Sequence, residues 1–516
     1  MAGPRVTLFM TVRERYGLTL ASIQNVLAHT TIPHRFVFAH GDLPRWIDDG
    51  VAELERAGHL ERRRFPGMPW PQELRKALAA EIDTEYVAFI DNDINVSPGW
   101  IERLLECADQ TGAGAVGPLY LWGDGSGPPK VHMAGGRLRE TKVDGGTILE
   151  EEHAHLDQDP GGLNFTRQPC DTLEFHCMLM PAAIAKEAMF DERIACVHDH
   201  IDVALTLRSR GKPIYLEPAA QVTYLAYSAA TLEDIALLRH RWDLAAMESS
   251  IAAFGAKWNV VTDDRSFGGV RDYVRGLRMK NDPLKPGTSA SILAAPMARA
   301  DLPQSPGALL DLAASRGYDT RELGFLRQGL NVAAALFDGG FRPDGRAFVQ
   351  HGIGTAGVLA NYRMSIDVTI EGLLHAAYTH RRMPSTMIRD ALNGIHPHVE
   401  LRVRQSAQRA QIKRAALVEH ATPREAEITL VEAANEIDMR FSGEYDHSGR
   451  PDEMGPAEYQ HHAAVLRMLG APGMAETLLT AVATRRPVAP ELQTKLNESY
   501  RLGPGNRPVK MAGGPL

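Results

Sequence analysis

Short apolar runs alternate with amphipathic stretches along the first 230 residues. Residues 6–12 (VTLFMTV) form an apolar run of buried-strand length, and residues 18–27 place Leu20, Ile23, Val26 and Leu27 at helical spacing. Residues 35–39 predict a second strand and residues 44–57 a second helix. A third helix is expected over 71–82, with Pro71 suited to its first turn. Residues 86–90 (YVAFI) predict a strand running straight into Asp91-Asn92-Asp93. Ser97 offers a cap for a helix carrying Trp100, Ile101, Leu104 and Leu105 on one side. Residues 122–168 read as loops and hairpins, 170–180 as one strand, 200–210 as a helix and 213–225 as two short strands. This alternation predicts an α/β fold, with a mostly parallel sheet covered on both faces. Pro283, Pro286, Pro296, Pro303 and Pro306 then break the pattern, and the chain beyond them reads as helical. The expected division is an α/β domain over 1–260, a linker over 261–306, an all-helical domain over 307–500 and a frayed Gly- and Pro-rich tail over 501–516.

Charge narrows the partners. The 56 basic residues face 64 acidic ones, a diffuse net charge of -8 that gives no reason to expect nucleic acid or an anionic membrane. Cys107, Cys170, Cys177 and Cys196 form no CxxC pair, which in a chain this long predicts a cytoplasmic protein. No window supplies the roughly 18 uninterrupted apolar residues of a membrane span, so none is expected.

Asp91 and Asp93 stand where an apolar strand ends, at the sheet edge where open α/β folds bind ligands. Two carboxylates one residue apart can both reach one hard cation, Mn²⁺ or Mg²⁺, that keeps open positions for phosphate oxygens. Asp91, Asp93, Asn95 and Glu102 also match ligand positions of a calcium-binding EF-hand loop, but Val96 stands where that loop needs glycine.

The runs VTLFMTV, FVFAHGD and LRKALAAEIDTEYVAFIDNDINVSPGWIERLL resemble the nucleotide-sugar-binding half of family 2 glycosyltransferases, which have the GT-A fold. The runs CMLMPAAIAKEAMFDERI and HDHIDVALTLRSRGKPIYLEPAAQVTYL resemble their acceptor-side half, so the likeness covers residues 4–228. It implies that Thr11, Asp42, Arg75, Asp91, Asn92 and Asp93 bind the nucleotide sugar, a UDP-sugar, with Mn²⁺ or Mg²⁺ on Asp91 and Asp93. It implies a general base in the acidic motif Asp199-His200-Ile201-Asp202, where this chain has His200 at the family's usual base position. Asp199 is the alternative base, or only a helix cap, and Asp202 a first-turn acid. Many relatives have a metal-binding His where this chain has Tyr224. The reaction implied is inverting transfer to an acceptor hydroxyl. Residues 62–70 (RRRFPGMPW) could form an acceptor lip, with Trp70 stacking on a sugar or simply packing.

Residues 351–380 (HGIGTAGVLANYRMSIDVTIEGLLHAAYTH) faintly resemble the opening helices of HD-type metal domains. His351, His375 and His396 would be its ligands, with Glu432, Glu436 and Asp438 on a later helix. Ala376 stands where that family has Asp, which points to a degenerate structural domain. The basic run of Arg402, Arg404, Arg409, Lys413 and Arg414 suits a solvated helix face, or one that meets an acidic acceptor or the second subunit of a homodimer. Two other functions stay open: a two-activity protein whose helical half is a metal hydrolase or oxygenase, and a non-catalytic nucleotide-sugar-binding module.

Overall fold

The computed structural model describes residues 3–124, 127–187, 189–226, 228, 230–285, 287–342, 344–380, 384–395, 398–407, 422–448, 454–484, 500–503 and 507–510. It divides into two compact units, 1–280 and 281–516.

The first unit is built on β1 (Val6–Thr11), β2 (His34–His40), β3 (Glu61–Arg64), β4 (Tyr86–Asp91), β5 (Ile94–Val96) and β6 (Ala115–Trp122). Then come β7 (Lys130–Met133), β8 (Gly136–Val143), β9 (Gly146–His153), β10 (Gln168–Cys170), β11 (Cys177–Pro181) and β12 (Ile214–Tyr224). Its helices are α1 (Thr19–His29), α2 (Arg45–Arg56), α3 (Pro71–Leu78), α4 (Trp100–Thr111), α5 (Ala182–Ala185), α6 (Asp199–Ser209), α7 (Asp234–Arg241), α8 (Leu244–Trp258) and α9 (Asp264–Asn281).

The sheet runs β10-β12-β6-β11-β4-β1-β2-β3, with β5 on β12 and β7 on β6. Strands β3, β2, β1 and β4 pair in parallel; β11 is antiparallel to both β4 and β6, and β6 is parallel to β12. This is the mostly parallel α/β sheet that the alternation of strands and helices predicts. Every residue of β1 and β4 is buried, as expected of strands covered on both faces. Phe89 packs edge-on against Phe9, Phe175 and Phe190, and a fully buried ring of this kind contributes about 1.5–3 kcal/mol. Register places Thr11 beside both Ala39 and Asp91, so the carboxyl ends of β1, β2 and β4 share one edge.

Several elements depart from the sequence pattern. The stretch 170–180 is two strands, β10 and β11, and the intervening loop carries Glu174 and His176. The segment 213–225 is one strand with an irregularity between Glu217 and Gln221. The stretch 62–70 supplies β3, and Trp70 packs on His240 with ring centroids 4.2 Å apart. Ser97 caps nothing: α4 starts after Gly99, whose φ of 74° lies in the left-handed region, while the Ser97 hydroxyl accepts from the Gln221 amide. Residues 264–281, inside the expected linker, form α9. The hairpin β8–β9 turns at Asp144-Gly145, with Gly145 at φ 90°.

The second unit is helical among its described residues up to 484. It holds α10 (Ala290–Ala294), α11 (Pro306–Ser315), α12 (Thr320–Phe337), α13 (Phe348–Asn361), α14 (Ile366–Leu374), α15 (Ser385–Asn393), α16 (Val399–Ala407), α17 (Pro423–Ser442), α18 (Glu444–Ser448), α19 (Pro456–Met468) and α20 (Pro472–Ala483). The core joins α12, α13 and α14 through Leu326, Leu330, Ile353, Ile370 and Leu373. Where a frayed tail is expected, Tyr500–Gly503 and Arg507–Lys510 pair antiparallel.

Candidate active site

Asp91 ends β4 completely buried, and three cationic groups meet it. Arg13 donates to its Oδ2 at 3.0 Å, His176 Nδ1 lies 3.0 Å from the same oxygen, and Arg75 is 3.5 Å from Oδ1. Burial works to raise the Asp91 carboxyl, but Arg13, His176 and Arg75 outweigh it and hold it below the usual range. Asp93 is its opposite. It is fully buried, and neither of its carboxylate oxygens has a hydrogen-bond partner. Burial, then the nearby Asp91 and Glu14 charges, push it up to about 7. Asn92 is structural in its contacts: it accepts from the Arg13 amide and donates to the Arg15 carbonyl and Thr19 Oγ1. Thr11 is buried at the end of β1 with its hydroxyl unpartnered. Asp42 stands apart on the exposed rim, where it accepts from the Gly67 amide and faces Arg64 at 3.5 Å.

Around Asp91 the ionisable groups close into a ring of alternating charge. From Asp91 it passes to His176 (3.0 Å), Glu174 (3.1 Å), His153 (3.6 Å), Glu151 (3.5 Å) and His200 (3.0 Å). It then reaches Asp199 (3.7 Å) and Arg75 (3.3 Å), and Arg75 returns to Asp91. Arg75 is wholly buried against the face of Phe175, 3.6 Å from the ring centroid, and burial lowers it to about 10. His176 is raised to about 9: burial opposes its charge, but Glu174 and Asp91 prevail.

Asp199 and His200 open α6. The preceding His198 adopts φ 63°, and its ring packs on Phe254 and Phe267 at 5.2 and 4.8 Å. That turn directs Asp199 to Arg75 and His200 to Glu151. Burial works against the His200 charge, yet Glu151 and Asp199 hold its imidazole well above the usual range. An imidazole so placed is cationic at neutral pH, a form that donates a proton and has no lone pair to accept one. Asp202 lies elsewhere: it pairs with Lys257 at 2.8 Å and accepts from Trp258 Nε1 at 2.7 Å, tying α6 to α8.

A cavity of about 540 Å³ lies over this edge, a volume suited to a small ligand. His132, Glu151, His153, Glu174, His176, Asp199 and His200 line it, together with Tyr273 of α9. Tyr224 stacks on His176 at 4.0 Å and donates to Glu14. His176 thus brings an imidazole to Asp91 and Asp93 from the loop before β11. Two groups of described residues bring three potential metal donors within 4.8 Å of one another: Asp91, Asp93 and His176, and His132, His153 and Glu174. Sequence reasoning missed Arg13, Glu14, His132, Glu151, His153, Glu174 and His176. The available signal was a repeated Glu-x-His, at 151–153 and 174–176; in β9 the period of two sets Glu151 and His153 on one face of the strand.

In the helical unit His351 Nδ1 lies 2.6 Å from Asp438, and the rings of His351 and His375 are 5.1 Å apart. Asp438 also accepts two hydrogen bonds from Arg346, at 3.1 and 2.9 Å, and His375 Nδ1 faces the Gly372 carbonyl. An arginine thus supplies the positive charge beside this carboxylate. His396, Arg409, Lys413 and Arg414 lie outside the described residues.

Residues 70–170 match the family described as glycosyl transferase family 2. The matched stretch includes Arg75, Asp91, Asp93, Glu151 and His153 and ends before Glu174. The O-antigen biosynthesis protein RfbC of Myxococcus xanthus is 22% identical over 219 residues, 40% of this chain. This chain spans 16% of that relative's length. A crystal structure of GalNAc-T7 with UDP, GalNAc and Mn²⁺ aligns over 54% of this chain and 55% of its own, at 11% identity and a TM-score of 0.36. No helix among the described residues is long and apolar enough to cross a membrane.

Proposed function

We propose that the first unit is a metal-dependent glycosyltransferase that moves a sugar from a nucleoside-diphosphate sugar, a UDP-sugar, to an acceptor hydroxyl with inversion. The observation that carries this reading is Asp93, a buried carboxylate with both oxygens unpartnered beside Asp91 and His176. A buried charge without a partner is costly, so its retention at a sheet's ligand-binding edge supports a cationic ligand. The two carboxylates Asp93 and Asp91 fit Mn²⁺ or Mg²⁺, with His176 holding one oxygen of Asp91 beside them. Such a cation, when bound, neutralises charge on a diphosphate leaving group. The chain's own groups do the rest. Arg13 and Arg75 fix the Asp91 carboxylate, and Thr11 at the end of β1 offers a free hydroxyl to the nucleotide. Asp42 supplies a rim carboxylate for the base. Within the acidic motif Asp199 has lone pairs for the acceptor proton, and cationic His200 orients it. Asp202 holds α6 in place.

The test is a panel of nucleotide sugars incubated with the purified protein and Mn²⁺, scoring released nucleoside diphosphate. Hydrolysis of one donor, abolished by EDTA and by Asp93→Ala, is the expected result. Turnover that survives both controls, or no donor bound at all, sinks the reading.

A further inference from the structure

The second convergent group, His132, His153 and Glu174, comes from three separate elements: β7, the end of β9 and the loop before β11. Its geometry is not that of a hydrogen-bonded cluster. His132 Nε2 and His153 Nε2 lie 3.5 and 3.6 Å from one and the same oxygen, Glu174 Oε1. Hydrogen bonds between such groups run about 2.7–3.2 Å. Donors arranged tetrahedrally around a cation at about 2.0–2.2 Å lie roughly 3.3–3.6 Å from one another, and these separations fall in that range. His132 is only 8% exposed, yet neither ring nitrogen makes a hydrogen bond. A buried imidazole left this way is unusual unless something else fills its lone pair.

The surroundings are those of a ligand shell. Glu174 turns its other oxygen, Oε2, to His176 Nε2 at 3.1 Å, which orients the carboxylate and leaves Oε1 for the two imidazoles. The His132 ring is steadied by Trp122, with centroids 4.6 Å apart. Glu151 faces His153 at 3.5 Å and accepts from Thr172 Oγ1 at 2.6 Å. All three donors line the 540 Å³ cavity, so a fourth position opens into it.

We propose that His132, His153 and Glu174 form a second divalent-cation site, of the zinc class, beside the Asp91–Asp93 site, with its open position facing the cavity. Two imidazoles and one carboxylate favour a borderline cation such as Zn²⁺ over the hard Mg²⁺ that suits a carboxylate pair. Three protein ligands and one open position are the pattern of sites that bind a water or a substrate oxygen, in contrast to the closed four-ligand pattern of structural zinc. The site stands on its own donors and does not depend on the transferase reading.

The experiment uses the full-length protein, stripped with a chelator and re-equilibrated with Zn²⁺, and with Co²⁺ as a spectroscopic stand-in. Metal content after gel filtration and the visible Co²⁺ absorption are the readouts. An Asp93→Asn background disables the carboxylate-pair site. That variant is expected to keep about one equivalent of Zn²⁺ with a Co²⁺ spectrum of low coordination number. Adding His153→Gln or His132→Leu is expected to remove both. His153 is half-buried on the hairpin, so its variant keeps the test sound if the His132 change disturbs folding. Zn²⁺ retained equally with and without His153→Gln, or no Zn²⁺ bound in Asp93→Asn alone, overturns the proposal.

Discussion

His200 carries its partners' charges on its own titration. Burial pulls its imidazole down, but Glu151 at 3.0 Å and Asp199 at 3.7 Å more than compensate, so the folded value lies above the unfolded value of about 6.5. A group raised in this sense contributes stability that is complete below the unfolded value and is lost as pH rises through the folded one. His200→Gln should therefore lower the thermal midpoint most near pH 6, with the gap to the native protein closing as the solution becomes alkaline. A gap that does not change with pH would show that the imidazole is neutral in the fold. At this scale the sequence exposed the groups that lie in a recognised motif: Asp91, Asp93, Arg75, Asp199 and His200. The histidines that meet them stayed hidden because their partners are distant in the chain. His176 and Asp91 meet from distant parts of the chain, and neither carries a local signal of the other.

The element that most changes the site is the break between β10 and β11. Its apolar character made 170–180 read as one strand, and the loop that presents Glu174 and His176 disappeared into it. Alternation and turn chemistry did reveal the hairpin β8–β9 in outline, since Asp144-Gly145 is a turn signal, but not that β9 delivers two side chains to the sheet edge. Helix α6 shows a sharper division of labour along four residues. Asp199 and His200 face the cavity, while Asp202 is pinned to Lys257 and Trp258 of α8. Asp202→Ala leaves the Lys257 charge without its nearest partner, and the loss of a buried pair of this kind costs about 3–5 kcal/mol; partial exposure of Lys257 places this case at the low end. Urea unfolding should register the loss, while donor hydrolysis at a permissive temperature should fall far less than with Asp93→Ala. Equal loss of activity in the two variants would place Asp202 in the chemistry.

Each unit has its own hydrophobic core, one around Phe89 and one around α12–α14. A fragment of residues 1–281 should accordingly fold and bind a nucleotide sugar by itself, as domains with separate cores do. Calorimetry and donor titration of the fragment check this, and a fragment that aggregates or loses its donor would argue against it. The sequence marked the change from α/β to helical organisation through its prolines. It placed the boundary early because α9, rich in Arg and Gly, has weak apolar periodicity. In the first unit, the closed circuit of four carboxylates, three imidazoles and one guanidinium limits how the chain can vary over generations. Replacing any single member sets two like charges face to face, as when loss of His176 leaves Asp91 and Glu174 without the cation between them. Tolerated change there is expected to come in compensating pairs, with the circuit's positions drifting together.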